Sequence, residues 1–222
     1  MERIPEEELM NNDESAKAYA YADFASPHDL FVQLFKEKFS DIPTSLNDTV
    51  LDLGCGPCDI TRRLAQAFPS AGFHGVDGAV KMLKYAHALN EAADLSPRIR
   101  LIEGCLPQVE LPQDQYHVIV SNSLLHHLHD PSVLWGTIKK HAKPYGYVFI
   151  MDLLRPIDEP TVDFLVNEYA ADEEEILKKD FINSLRAAFT VKEVQKQLHE
   201  INLTNLKVEE VTDRHMIIYG VM

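Results

Sequence analysis

The chain has 222 residues, 45% hydrophobic and 25% charged, the balance of an ordinary globular protein with room for one well-buried α/β core. Acidic residues outnumber basic ones 35 to 21, for a formal net charge of −14. That surplus argues against a broad nucleic-acid-binding face, which needs Lys and Arg to replace phosphate counterions. No run of eighteen apolar residues occurs, and the stretch Met1–Glu8 is acidic, so neither a membrane span nor a signal peptide is expected, and the cytoplasm is the expected location. The three cysteines, Cys55, Cys58 and Cys105, are an odd and low count that suggests reduced thiols.

Residues 13–39 read as helical, with Phe31, Leu34, Phe35 and Lys38 on one face. A first strand, Thr49–Leu53, leads into a helix marked by Ile60, Leu64, Ala65 and Phe68 and stopped by Pro69. Further strands are expected at Phe73–Val76, Arg98–Ile102, His117–Ser121 and Tyr147–Asp152, with Pro131 opening a helix as its first residue. Such alternation predicts an α/β fold with a mostly parallel sheet covered by helices on both faces.

The end departs from it. Leu206–Val211 and His215–Val221 are separated only by Thr212-Asp213-Arg214, which predicts a C-terminal antiparallel hairpin. Between Asp152 and Leu206 the chain is too long for one crossover helix. It carries stripes at Val162, Leu165, Val166 and Tyr169, then at Phe181, Ile182, Leu185 and Phe189, and a capping box at Thr190-Val191-Lys192-Glu193. One domain over residues 1–222 is expected, with a helical cap (1–45) and a helical insertion (156–203) as lids over the strand ends.

The segment Val50-Leu51-Asp52-Leu53-Gly54-Cys55-Gly56-Pro57 runs strand, tight turn, helix. A dinucleotide site wants a third glycine, where Asp59 stands, and a carboxylate such as Asp52 repels a pyrophosphate. Cys55-Gly56-Pro57-Cys58 spells a thioredoxin-type tetrapeptide, but it is nested in a longer glycine loop with no tryptophan before it. A carboxylate favours instead a ligand carrying ammonium and sulfonium charges.

Residues Val50–Thr61 resemble the first motif of class I S-adenosylmethionine-dependent methyltransferases, with Pro57-Cys58 where the last glycine of that motif often falls. The resemblance extends through Phe73–Ala86, Ile99–Leu106 and His117–Asp130, the last containing the Leu-His-His-Leu found in small-molecule members. It implies a Rossmann-like seven-stranded sheet, S-adenosylmethionine as cofactor and S-adenosylhomocysteine as product. Asp77, 21 residues after Gly56, then takes the ribose hydroxyls, a position that also suits a helix cap. Gly54, Cys55, Gly56 and Gly78 are expected to form the cradle, Met82 to touch the adenine, and Gly104, Cys105 and Leu106 to flank it. Cys105 stands where the family often has Asp, so backbone contacts must replace that carboxylate. Ser121 and Asn122 lie beside the methionine part, and Tyr19 is a lid residue over the cofactor or part of an amphipathic helix.

On the substrate side, His126 is the candidate acid/base residue, with Tyr21, His127, Asp152 and Arg155 as candidate contacts and His129 in solvent. Asp152 and Arg155 are equally able to cap or pair with the helical insertion. A His-His-x-His cluster invites a metal reading, but adjacent histidines rarely converge on one ion and no carboxylate stands at a short spacing, so no metal is expected. The expected reaction is in-line methyl transfer to an O, N, S or C nucleophile of a small molecule, by a monomer or homodimer. Action on RNA or protein, or cofactor binding without turnover, stays open as an alternative.

Overall fold

The apolar runs assemble into a seven-stranded sheet in the computed structural model, which describes residues 1–222. In chain order the strands are β1 (Thr49–Leu53), β2 (Gly72–Asp77), β3 (Ile99–Glu103), β4 (Tyr116–Asn122), β5 (Ala142–Leu153), β6 (Lys207–Glu210) and β7 (His215–Val221). Their spatial order is β3-β2-β1-β4-β5-β7-β6. The first five are parallel, and β7 runs antiparallel to both β5 and β6. The hairpin folds back so that its apolar second strand, not its charged first one, meets β5.

Strand alternation separates two cores. Val50, Val118, Val120, Phe149, Met151 and Ile217 face one side, while Leu51, Leu53, Ile119, Val148, Ile150 and Ile218 face the other. On the first side lie α2 (Ala25–Lys38), α3 (Asp59–Ala67) and, through Leu83 and Ala86, α4 (Val80–Ala92). On the second lie α5 (Ser132–His141) and α8 (Val191–Glu200). Phe31 and Phe35 of α2 meet Phe149 edge-on at 4.9 and 5.7 Å, anchoring the N-terminal helix to the centre of the sheet. No helix is long and apolar enough to cross a membrane.

Three helical expectations need correction. The helix expected over 13–39 is two, α1 (Asp13–Tyr21) and α2, because Ala22 is extended and the Asp23 carboxylate accepts the Ala25 N–H to start a new helix. Pro131 precedes α5 instead of opening it, and Asp130 accepts the Ser132 N–H at 2.9 Å. Of the inserted helices, α6 (Glu159–Tyr169) and α7 (Glu175–Ala187) stack at the ends of the strands, but α8 is an ordinary crossover helix. Its Val194 and Leu198 join the core, and Gln197 accepts the Trp135 indole N–H at 2.9 Å. The capping box at Thr190 and Glu193 is present as expected.

Phe31→Ala removes a fully buried ring from the joint between α2 and the sheet. It is expected to lower unfolding stability by about 3–5 kcal/mol, read as a lower urea midpoint with little change in slope.

Candidate functional site

Strands β1 and β4 are neighbours, yet the chain leaves β1 for α3 on one face and β4 for a 3₁₀ turn (Leu125–His127) and α5 on the other. A crevice opens where the two paths diverge, at the carboxyl ends of the strands. It widens into a cavity of about 640 Å³, the size of a small-molecule site.

The β1 loop lines one wall with Asp52, Gly54, Cys55 and Gly56. Gly54 has φ +72°, and a Cβ there would meet the Leu124 side chain at 2.8 Å, so only glycine fits. Gly56, at φ +51°, has nothing within 4 Å of a would-be Cβ and leaves the backbone open to a ligand. From the end of β2, Asp77 accepts the N–H groups of Gly56 (2.8 Å) and Ala79 (2.7 Å), tying the loop to the entry of α4. Burial raises its pKa, while those two amides pull the other way. Each carboxylate oxygen keeps a lone pair for a donor in the cavity.

Asp52 is 1% exposed and accepts the Thr61 hydroxyl at 2.5 Å. Burial pushes its pKa up to about 7, with Thr61 opposing and the charge of Asp77 adding. A buried carboxylate with no cationic partner is a cost that a cationic ligand removes.

Gly78 and Met82 beyond β2, Gly104, Cys105 and Leu106 beyond β3, Asn122 at the end of β4 and Tyr19 of α1 line the same cavity. Ser121 does not: it is fully buried and donates to the Leu53 carbonyl at 2.7 Å. Alternation along β4 sends Asn122 toward the site and Ser121 into the opposite packing layer. Cys55 and Cys58 are buried side by side as free thiols, and their mutual hydrogen bond, burial and nearby carboxylates raise the Cys55 pKa well above normal. A redox cysteine needs the reverse.

On the far side of the crevice Asp152 and His126 are both buried. Asp152 accepts the Leu125 N–H (2.8 Å) and the Leu153 N–H (2.8 Å), and its Oδ1 lies 2.6 Å from His126 Nδ1. Burial works against a charge on His126, but Asp152 and Glu6 outweigh it and raise its pKa. For His127, burial and then the neighbouring His126 push the pKa down to about 3. His126 and His127 line the cavity, whereas Asp152 acts from behind His126. Arg155 is not in the cavity: it pairs with Glu193 at 2.7 Å and donates to the Ala188 carbonyl, serving the insertion. Tyr21 also points elsewhere, 62% exposed and edge-on to Tyr85 at 6.0 Å.

Within the N-terminal cap, Arg3, Glu6 and Leu9 ahead of α1 were not singled out from the sequence. Arg3 donates to the carbonyls of His126 (2.9 Å), Leu128 (3.0 Å) and Ala187 (2.6 Å), strapping the segment across the 3₁₀ turn and the end of α7. Glu6 follows beside both histidines, and Leu9 packs where a Cβ on Gly78 would clash at 2.8 Å. His129, expected in solvent, is exposed but bonds through Nε2 to the Glu6 carbonyl at 2.7 Å. His28 was missed too. It lines the cavity with Nδ1 at 2.6 Å from Asp59, whose pKa burial would raise but His28 and Arg63 hold well below the usual range. Its place on the buried face of α2, three residues before Phe31, was the one available signal.

Known proteins share this fold. Residues 50–146 match a family model described as a methyltransferase domain. The trans-aconitate 2-methyltransferase of Azoarcus sp. (strain BH72) is 28% identical over 126 residues, 57% of this chain and 47% of that protein. Phosphoethanolamine N-methyltransferase 3 of Arabidopsis thaliana is 30% identical over 117 residues, 53% of this chain and 23% of that protein. The chain thus spans about half the length of the curated relatives it matches, or less. The solved plantazolicin methyltransferase BpumL, in complex with S-adenosylhomocysteine, superposes with a TM-score of 0.72 at 13% identity, over 93% of this chain and 89% of that one. Residues 50–146 belong to the methyltransferase-domain family, and the chain has the fold of the class I S-adenosylmethionine-dependent methyltransferases.

Proposed function

We propose that the chain transfers a methyl group from S-adenosylmethionine to a nucleophile on a small molecule. The observation that carries this reading is the convergence of Asp52, Gly56 and Asp77 on one wall of a cavity whose other wall holds His126, backed by Asp152. The residues fit the cofactor. Gly56 leaves the space a side chain would fill, Asp77 presents free lone pairs to ribose hydroxyls, and Asp52 is a buried acid that a nearby cation stabilises as its anion. When bound, the cofactor supplies an electrophilic methyl group on a sulfonium leaving group.

The protein's share is alignment and exclusion of water. Residues 1–45 and, of the insertion at 156–203, the part before α8 serve as the lid elements, α1, α6 and α7 walling the chamber and the strap closing it. His126 and His127 face the acceptor, with Asp152 fixing the His126 ring so that Nε2 points away from the sheet. The names of the relatives, one for trans-aconitate and one for phosphoethanolamine, support a small acceptor, and the second names a nitrogen nucleophile. Asp152, Arg155 and Tyr21 are assigned here to support of the site, not to contact with the acceptor.

Calorimetry with S-adenosylhomocysteine tests the cofactor half. The intact protein is expected to bind it, and Asp77→Asn to weaken binding by about tenfold to a hundredfold, the worth of one charge-assisted hydrogen bond. Absence of binding by the intact protein defeats the reading. Incubating the protein and labelled S-adenosylmethionine with cell extract tests the acceptor: label in the small-molecule fraction is expected, and label confined to RNA or protein overturns that part.

The pKa of Asp52 gives a pH dependence. In the free protein the group is half-protonated near pH 7, and a bound cation favours its ionised form, so binding releases a proton. S-adenosylmethionine affinity should therefore rise from about pH 6 to about pH 8 and level off above. Asp52→Asn should flatten that rise; an equally steep profile in the variant would assign it to another group.

A further inference from the structure

We propose that Glu6, His126 and His127 form a binding site for one divalent transition-metal ion, of the kind that prefers imidazole and carboxylate ligands, at the acceptor end of the cavity. Three donor atoms, one from each residue, lie within 4.8 Å of one another. Glu6 Oε1 is 3.6 Å from His126 Nε2 and 3.3 Å from His127 Nδ1. Those separations exceed the roughly 2.7–2.9 Å of a charge-assisted hydrogen bond. They suit two ligands that share a tetrahedral ion at bond lengths of about 2.0–2.2 Å. Adjacent histidines converge here because they use different nitrogens: His126 reaches with Nε2 and His127 with Nδ1, on rings 4.3 Å apart.

Three further features favour an ion over a plain ion pair. First, His126 Nδ1 is engaged by Asp152 at 2.6 Å, and Asp152 is itself held by two backbone amides. A carboxylate behind the ring, leaving the other nitrogen free, is the outer-shell arrangement of metal-ligating histidines. Second, His127 Nδ1 is buried and makes no hydrogen bond, and the buried Asp180 Oδ2 also has no partner. Third, the local charge is unbalanced. Glu6, Asp152 and Asp180 are grouped, with Arg3 opposing the first two and Lys179 the third, since Glu193 takes the charge of Arg155. A dication corrects that surplus.

Three protein ligands leave a fourth coordination position, as in catalytic rather than structural zinc sites, and two of the three, His126 and His127, line the cavity. An acceptor bearing a thiolate, phenolate or carboxylate is the class that would take it. That last assignment rests on the methyl-transfer reading; the metal site does not. The ion would also join the strap, through Glu6, to the 3₁₀ turn.

The test uses the full chain, stripped with a chelator and titrated with Co²⁺, followed by visible absorption and by competition with Zn²⁺. One ion per chain with a tetrahedral or five-coordinate spectrum is expected, and Mg²⁺ should not compete. Glu6→Gln and His127→Ala should each weaken affinity at least tenfold, Asp152→Asn about tenfold to a hundredfold, and His87→Ala, on the exposed side of α4, not at all. Zn²⁺ should raise the melting temperature of the parent chain but not that of the Glu6→Gln, His127→Ala double variant, whose folding is checked by circular dichroism without metal. Failure of the parent chain to bind Co²⁺ or Zn²⁺ overturns the proposal, as does binding that survives in the double variant. S-adenosylhomocysteine binding by the stripped protein, measured in parallel, shows separately whether the cofactor reading stands.

Discussion

Everything at the site depends on β1 and β4 lying side by side while the chain leaves them toward opposite faces of the sheet. Parallel strands can be hydrogen-bonded along their length, but two helices packed on different faces cannot close the gap beyond their ends. The sheet order β3-β2-β1-β4-β5 puts that gap at its middle, where the cores on both sides hold the strand ends still. A cavity there has rigid walls without any loop having to be rigid by itself.

Two carboxylates turn the gap into a shaped site, and both do so by collecting backbone amides. Asp77 gathers the glycine loop and the start of α4; Asp152 gathers the 3₁₀ turn and fixes the His126 ring. Each sits at the last or next-to-last residue of its strand. A side chain at such a place reaches loops from both neighbouring connections while its own backbone stays pinned in the sheet. Asp77 therefore supports the loop and borders the cavity at once, whereas Asp152 lies one layer further back.

Much of this was legible in the sequence. β1 and β7 were bounded as observed because continuous apolar runs with sharp turn residues at their ends admit few alternatives. The cavity wall that follows β1, β2 and β3 was legible because its residues follow their strands directly, so spacing along the chain maps onto position in space. The opposite wall was legible at His126 and His127 but not in the N-terminal segment packed against them. Glu6 meets His126 across 120 residues of chain, and no local pattern in an acidic N-terminal stretch announces such a contact. Ser121 and Asn122 show a finer limit: both stand at a strand end, and only the parity of β4 decides which one faces the cavity. The break between α1 and α2 escaped periodicity because Ala22 and Asp23 fit a helical face as well as they fit a turn.

The outer strands bear on how this protein behaves in a crowd. β3 exposes Arg100 and Glu103, and β6 is only four residues long and carries Lys207, Glu209 and Glu210, with Glu209 held by Lys38 and Tyr219. Short, charged borders offer a foreign strand too little length and the wrong side chains to pair with. The sheet thus stops growing at seven strands, and the apolar β7 is kept one place in from the rim. Self-templated aggregation through the sheet is blocked by the same reversal of the final hairpin that sets the fold apart from an all-parallel one.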